Sequence, residues 1–206
     1  MKEKAEINYL VLVNRQNPLP ENWEKDLTTV HTFNSLGDDI EIEAKTYEAY
    51  LSFRAALESQ GIFTELDSAL RDVKQQQEIM DRFILEYGAA YAARTVAPPG
   101  CSEHHTGLAI DLYLRIGGKD IYTNEELVLY PEVWAKIHAQ APSYGFILRY
   151  PQDKEHITGY GYEPWHLRYI DHADTARQIM AKRITLEEYL GAVREYEPEF
   201  FFGIKL

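Results

Sequence analysis

The chain has 206 residues, 45% hydrophobic and 26% charged, enough to bury one substantial core and within the usual size of a single domain. Its formal net charge of −12 repels phosphate backbones and anionic lipid surfaces, which excludes nucleic acid as an expected partner. The single cysteine, Cys101, cannot form an internal disulfide, and no apolar run reaches the roughly 20 residues of a membrane span.

Residues 7–13 read as a strand, and Pro18 and Pro20 make the next stretch a loop. Over residues 44–60, apolar side chains recur at Tyr47 and Leu51 and again at Tyr50, Phe53 and Leu57, which is helical spacing, with Gly61 as the stop. Residues 62–66 fit a short strand. A second helix is predicted over 75–93, with Ile79, Phe83 and Tyr87 on one face and Gly88 as its weak point; Pro98, Pro99 and Gly100 close it in a loop. Residues 108–116, 144–150 and 165–170 are rich in aliphatic and aromatic side chains bounded by turn residues, as strands of one sheet would be. A helix is expected over 131–141, another capped by Asp171 and running to Lys182, and a last one opened by the capping-box pair Thr185 and Glu188. The acidic stretch with Glu195, Glu197 and Glu199 reads as a solvated face, and Phe200, Phe201 and Phe202 as a run that docks on the body or on another subunit. The expected architecture is α+β, helices packed on a small, mainly antiparallel sheet in one domain spanning residues 1–206. With no basic-plus-apolar leader, the chain as given is expected to be cytoplasmic, unless an export signal has been trimmed ahead of Met1.

Two distant segments concentrate the groups of a metal hydrolase: Ser102-Glu103-His104-His105-Thr106-Gly107-Leu108-Ala109-Ile110-Asp111 and Glu163-Pro164-Trp165-His166-Leu167-Arg168-Tyr169. Catalytic zinc takes three protein ligands and keeps a fourth position for water, and His104, Asp111 and His166 meet that count. Gly107 permits a sharp turn after His104, a following strand presents Asp111, and a neighbouring strand brings His166. Glu163, just ahead of His166 and fixed by Pro164, is placed to take a proton from that water and return it to a leaving amine.

These segments resemble the Ser-x-His-x-x-Gly-x-Ala-x-Asp and Glu-x-Trp-His-x-Arg-Tyr motifs of the VanY-type D-alanyl-D-alanine carboxypeptidases, at every fixed position. Residues 144–151 and Thr158-Gly159 are also similar to that family, especially to its VanXY members, which combine dipeptidase and carboxypeptidase activity. The likeness covers most of residues 62–170, with the expected helices of 171–206 beyond it. It implies a fold shared with hedgehog signalling domains, Zn2+ on His104, Asp111 and His166, base work for Glu163, and a small peptide substrate ending in D-Ala-D-Ala. The family's upstream arginine and glutamine are met more loosely by Arg71, after Ser68-Ala69-Leu70, and by Gln76. Arg71 has the chemistry to fork onto a terminal carboxylate or to stabilise an oxyanion, and Gln76 and Ser102 can add neutral hydrogen bonds.

Blander readings stand beside these. His31, His105, His138, His156 and His172 are taken as structural, Cys101 as a small buried residue, and Trp165 and Tyr169 as core packing turned away from His166 by strand alternation. Glu163 has a rival partner in Arg168. Two histidines and an aspartate also make the facial triad of non-haem iron enzymes, although that triad usually separates its first His and Asp by one residue. Within the peptidase reading, D,D-carboxypeptidase, D,D-dipeptidase and L,D-carboxypeptidase remain open, as does a non-catalytic zinc-binding module of the same fold.

Overall fold

Strand pairing in the computed structural model, which describes residues 7–196, is antiparallel throughout. A hairpin of β1 (Thr29–Phe33) and β2 (Asp39–Glu43) leads straight into helix α1 (Ala44–Glu58). Strand β3 (Phe63–Ser68) is followed by helices α2 (Val73–Tyr87) and α3 (Ala89–Thr95), then by β4 (Ala109–Ile116) and the short β5 (Lys119–Ile121). Helices α4 (Asn124–Leu127) and α5 (Pro131–Gln140) precede β6 (Phe146–Leu148), α6 (Glu155–Thr158) and β7 (His166–Tyr169). Helices α7 (Ala173–Lys182) and α8 (Leu186–Leu190) complete the described chain. The main sheet has the order β3-β4-β7-β6, with β5 paired to β4. This is the expected α+β arrangement.

Strand β4 shows why the sheet holds together. Its residues Ile110, Leu112 and Leu114 alternate onto one face and join a core with Tyr50, Phe53 and Leu57 of α1 and Trp134 and Ile137 of α5. Each such side chain, fully buried, stabilises the fold by about 1.5–3 kcal/mol before entropy is subtracted. Helix α1 starts where it does because the Glu43 carboxylate accepts from the N–H groups of Lys45 and Thr46, and its face carries Tyr50, Phe53 and Leu57 inward. Leu51, read as part of the apolar face, stays exposed. A second, smaller cluster of Ile147, Ile170, Ala176, Ile179 and Leu186 seats α7 and α8 against the sheet.

Several expectations need correction. Residues 7–13 form no strand; Val11 and Val13 are buried, but the carbonyls of Tyr9 and Val11 are claimed by the Arg168 guanidinium instead of a ladder. The helix expected over 75–93 is two helices, because Gly88 takes φ +87 and breaks the run. Asp171 does not cap α7: it sits at φ +65 and accepts from the Tyr169 hydroxyl at 3.0 Å, while His172 holds the cap position. The Thr185–Glu188 capping box is present. Glu195 is exposed, whereas Glu197, Glu199 and the Phe200–Phe202 run lie outside the described residues.

Candidate metal centre and active site

Asp111 and His166 are opposed residues of the β4–β7 ladder, so their side chains leave the sheet on one face about 5 Å apart. His104 arrives from the 3₁₀ turn Glu103–Thr106, whose His104 N–H is capped by the Ser102 hydroxyl at 3.3 Å. Gly107 ends that turn at φ +72, where a Cβ would stand 3.2 Å from the Glu43 Cβ, so the conformation and the close approach both call for glycine. On the other side of Asp111, a bulge at Asp67 interrupts the β3–β4 register between Leu66 and Ser68, bringing Ser68 opposite Asp111. The chain then turns so that Arg71 reaches back over the carboxylate.

The three expected ligands converge. His104 Nε2 lies 3.0 Å from Asp111 Oδ2, and His166 Nδ1 lies 3.0 Å from Asp111 Oδ1. One donor atom from each residue falls within 4.8 Å of the others. His104 Nδ1 is 2.6 Å from the Ala69 carbonyl, which fixes its tautomer and leaves Nε2 a lone pair. Asp111 Oδ1 is buried without a satisfied hydrogen bond, an arrangement that costs free energy unless a cation shares the site. Two imidazole nitrogens and a carboxylate oxygen at the wall of a cleft are a fitting donor set for a catalytic dication.

Electrostatics follow from burial and crowding. Burial lowers His104 to about 4, with the Arg71 charge helping, so its imidazole is neutral. Burial also pulls His166 down, but its contacts with Asp111 outweigh that and raise it to about 9. Asp111 is pushed up by burial and held well below the usual carboxylate range by the two histidines. A metal ion would displace the His166 proton, the usual coupling of metal and proton binding.

Glu163 stands beside the cluster, its Oε2 3.9 Å from His166 Nδ1, and burial raises it to about 7 against the pull of His166 and Arg71. It does not pair with Arg168, which is buried against Glu103. The Arg71 guanidinium donates to Ser68 Oγ at 2.9 Å, Gln76 Oε1 at 3.1 Å and Asp111 Oδ2 at 2.9 Å. Gln76 also donates to the Ala97 carbonyl, so its amide is engaged with the protein and orients Arg71. All seven expected site residues line one cleft of about 250 Å³. Trp165 packs against the main core as expected but lines the cleft too: it precedes β7, so strand alternation does not turn it away from His166, and that part of the expectation is corrected. Tyr169 packs in the core as expected.

His105 brackets two loops, with Nδ1 2.7 Å from the Arg71 carbonyl and Nε2 accepting from the Gly100 N–H. Cys101 is half-buried. Sequence reasoning overlooked Glu103, which is fully buried between Arg149 and Arg168 directly behind His166. A signal was available: two arginines, Arg149 and Arg168, inside apolar strand segments need an acid to be buried with them.

Comparison with known proteins supplies the relatives. The family model VanY, D-alanyl-D-alanine carboxypeptidase, matches residues 39–172, which extends the likeness upstream of residue 62 to take in β2 and α1. A D-alanyl-D-alanine carboxypeptidase of Enterococcus faecalis is 38% identical over 190 residues, 88% of this chain and 65% of that protein. Among solved structures, the vancomycin-resistance D,D-pentapeptidase VanY from a VanB-type cassette, a mutant in complex with Zn(II), superposes with a TM-score of 0.74 at 33% identity, covering 89% of this chain and 99% of that one. The LD-carboxypeptidase LdcB superposes at 0.77 with 37% identity, over 91% of this chain and 87% of that one. A match spanning β2, α1, the main sheet and every motif residue of the cleft leaves one assignment: the chain belongs to the VanY family of D-alanyl-D-alanine carboxypeptidases.

Proposed function

We propose that the protein is a zinc-dependent peptidase that hydrolyses the terminal D-Ala-D-Ala bond of cell-wall precursor peptides, releasing D-alanine. The observation that carries the reading is the convergence of His104, Asp111 and His166 on one point of the cleft with Glu163 beside it. His104, Asp111 and His166 would hold the zinc, which when bound acidifies water and polarises a carbonyl. Glu163, raised toward neutrality by burial, takes the proton from the attacking water and passes it to the departing D-alanine amine. Arg71, held rigid by Ser68 and Gln76, meets the negative charge that develops on the carbonyl oxygen or anchors the substrate carboxylate. Ser102 shapes the cleft by capping the His104 turn. Residues 1–206 act as one catalytic domain in this reading.

A second reading has specific support: LdcB, similar at 37% identity, is an LD-carboxypeptidase. Incubating the zinc-loaded protein with D-alanyl-D-alanine, with a pentapeptide ending in D-Ala-D-Ala and with a tetrapeptide ending in a single D-Ala separates the alternatives. D-alanine release from the pentapeptide, abolished by chelation, is the expected result; release from the tetrapeptide alone would move the assignment to L,D chemistry, and release from none would end it. No helix among the described residues is long and apolar enough to cross a membrane. The cytoplasm is the compartment proposed for the reaction, which fractionation of cells carrying the full-length gene tests.

A further inference from the structure

We infer that Glu103 is a positioning residue for His166, and that it is locked in place by the two ends of the chain, the loop at residues 9–14 and helix α8. The inference rests on the reading of His166 as a zinc ligand. His166 turns Nδ1 toward Asp111 and the shared focus of the three donors, so with zinc on Nδ1 the ring's remaining proton sits on Nε2, on the far side of the ring. That Nε2 is buried with no hydrogen-bond partner, and so is Glu103 Oε2; the two atoms face each other at 3.7 Å. Two buried, unsatisfied and complementary atoms this close are each other's natural partner, and a carboxylate behind a ligating imidazole fixes its tautomer and strengthens it as a donor.

Glu103 is aimed at the ring because its other oxygen is gripped. Oε1 accepts from Arg149 Nε at 2.8 Å and from Arg168 Nη1 at 2.6 Å, and both arginines are fully buried. The rest of each guanidinium is held by chain far away in sequence. Arg149 donates Nη1 and Nη2 to Glu187 of α8 at 3.0 and 2.7 Å, and Glu187 also accepts from Asn14 Nδ2 at 3.1 Å. Arg168 Nη2 donates to the carbonyls of Tyr9 and Val11. Tyr9, Val11, Asn14 and Glu187 all lie outside the span matched by the family model, yet they close the shell behind one of its motif histidines. The relay therefore runs from α8 through Glu187, Arg149 and Glu103 to His166.

Zinc affinity of the full chain, measured by chelator competition, tests this. Glu103→Gln must turn its amide oxygen to the two arginines and present NH₂ to the His166 N–H, two donors face to face; a 10- to 100-fold loss of zinc affinity is expected. Glu187→Gln should lose less, and the core variant Leu57→Ala should unfold at lower temperature with parental affinity. Parental affinity in Glu103→Gln would overturn the inference, as would an equal loss in Leu57→Ala; failure of the parent to bind zinc would instead remove the metal reading beneath it. Should Glu103→Gln not fold, nitrogen-15 histidine spectra of the zinc-loaded parent decide. A downfield, exchange-protected Nε2 proton on His166 is expected, and a freely exchanging one or Nε2 ligation refutes the relay.

Discussion

Replacing Glu163 with glutamine separates the chemistry of this site from its architecture. The side chain makes no hydrogen bond among the described residues, and its ion-pair contact is a long one, 3.9 Å to His166 Nδ1, so an isosteric amide breaks nothing structural. What is lost is the proposed base. A positioned general base contributes about 10²–10⁴-fold, or roughly 2.7–5.4 kcal/mol at about 1.36 kcal/mol per tenfold. The carboxylate also carries a stability cost: burial lifts it from 4.5 to about 7, and at about 1.36 kcal/mol per unit that is roughly 3 kcal/mol against the ionised form. Because the folded state binds the extra proton between those values, stability falls as pH rises through that window in the metal-free protein, and the amide removes the fall. Steady-state D-alanine release, zinc content and urea unfolding of Glu163→Gln at about pH 8 are the three measurements. The expected outcome is activity down by at least about a hundredfold, zinc retained and stability level or raised. Hydrolysis left intact would refute the general-base role; lost zinc together with lost activity would show that Glu163 acts through the metal site.

Four further outcomes are expected. Arg71→Lys cannot serve Ser68, Gln76 and Asp111 at once with a single ammonium, and kcat/KM should fall about 10²–10³-fold while zinc analysis stays near stoichiometric. Gly107→Ala forces alanine into φ +72 and against Glu43; at about 1–2 kcal/mol for the backbone alone, scanning calorimetry should show Tm lower by about 2–8 °C. Chelation should lower Tm as well, since a ligand that binds only the native state at a hundred times its Kd adds about 2.7 kcal/mol; a Tm indifferent to metal would contradict the site. Burial holds His138 below its ordinary 6.5 while its Nε2–H bonds the Pro164 carbonyl. The unfolded chain therefore binds more protons below that value, and stability should drop on acidification by at most about 1.4 kcal/mol per pH unit, a slope that His138→Gln flattens in urea titrations.

The elements legible in the sequence were those whose local signals agreed with their surroundings. Helix α1 shows its face at Tyr50, Phe53 and Leu57 and ends at Glu58, just ahead of Gly61; α8 shows its capping box; β4 shows a run of aliphatic residues that only a central strand would bury. The hairpin of β1 and β2 went unread although Ile40 and Ile42 alternate cleanly, because a strand pair five residues long offers weak evidence beside the nearby prolines. The apolar run at residues 7–13 misled for the opposite reason. Its burial is real, but its backbone partner is a guanidinium 157 residues away, which no local pattern can announce. The cleft's metal-binding motif was visible because its residues are chemically unusual together, and the shell behind it was not, because Glu103, Arg149 and Glu187 become meaningful only as a buried set.

The site depends on strand register more than on any single side chain. Asp111 and His166 share the metal focus because they are paired across β4 and β7, and Ser68 faces Asp111 because the Asp67 bulge shifts β3 by one residue. A one-residue slip of β7 would send His166 into the core and bring Leu167 to the cleft, since side chains alternate faces. Register is held by what lies on the other face: Ile110 opposite Leu167, packed with Leu112 and Leu114 into the main core. Apolar packing on one side of the sheet thus sets the ångström-scale placement of metal donors on the other. Loss of the ladder pair itself, as in Leu167→Ala, should therefore weaken zinc binding without touching a ligand, whereas a helix-side loss such as Leu57→Ala leaves the pair in place; a Leu167→Ala variant that lost about 2–5 kcal/mol of stability yet kept parental zinc affinity would show that the ladder alone suffices.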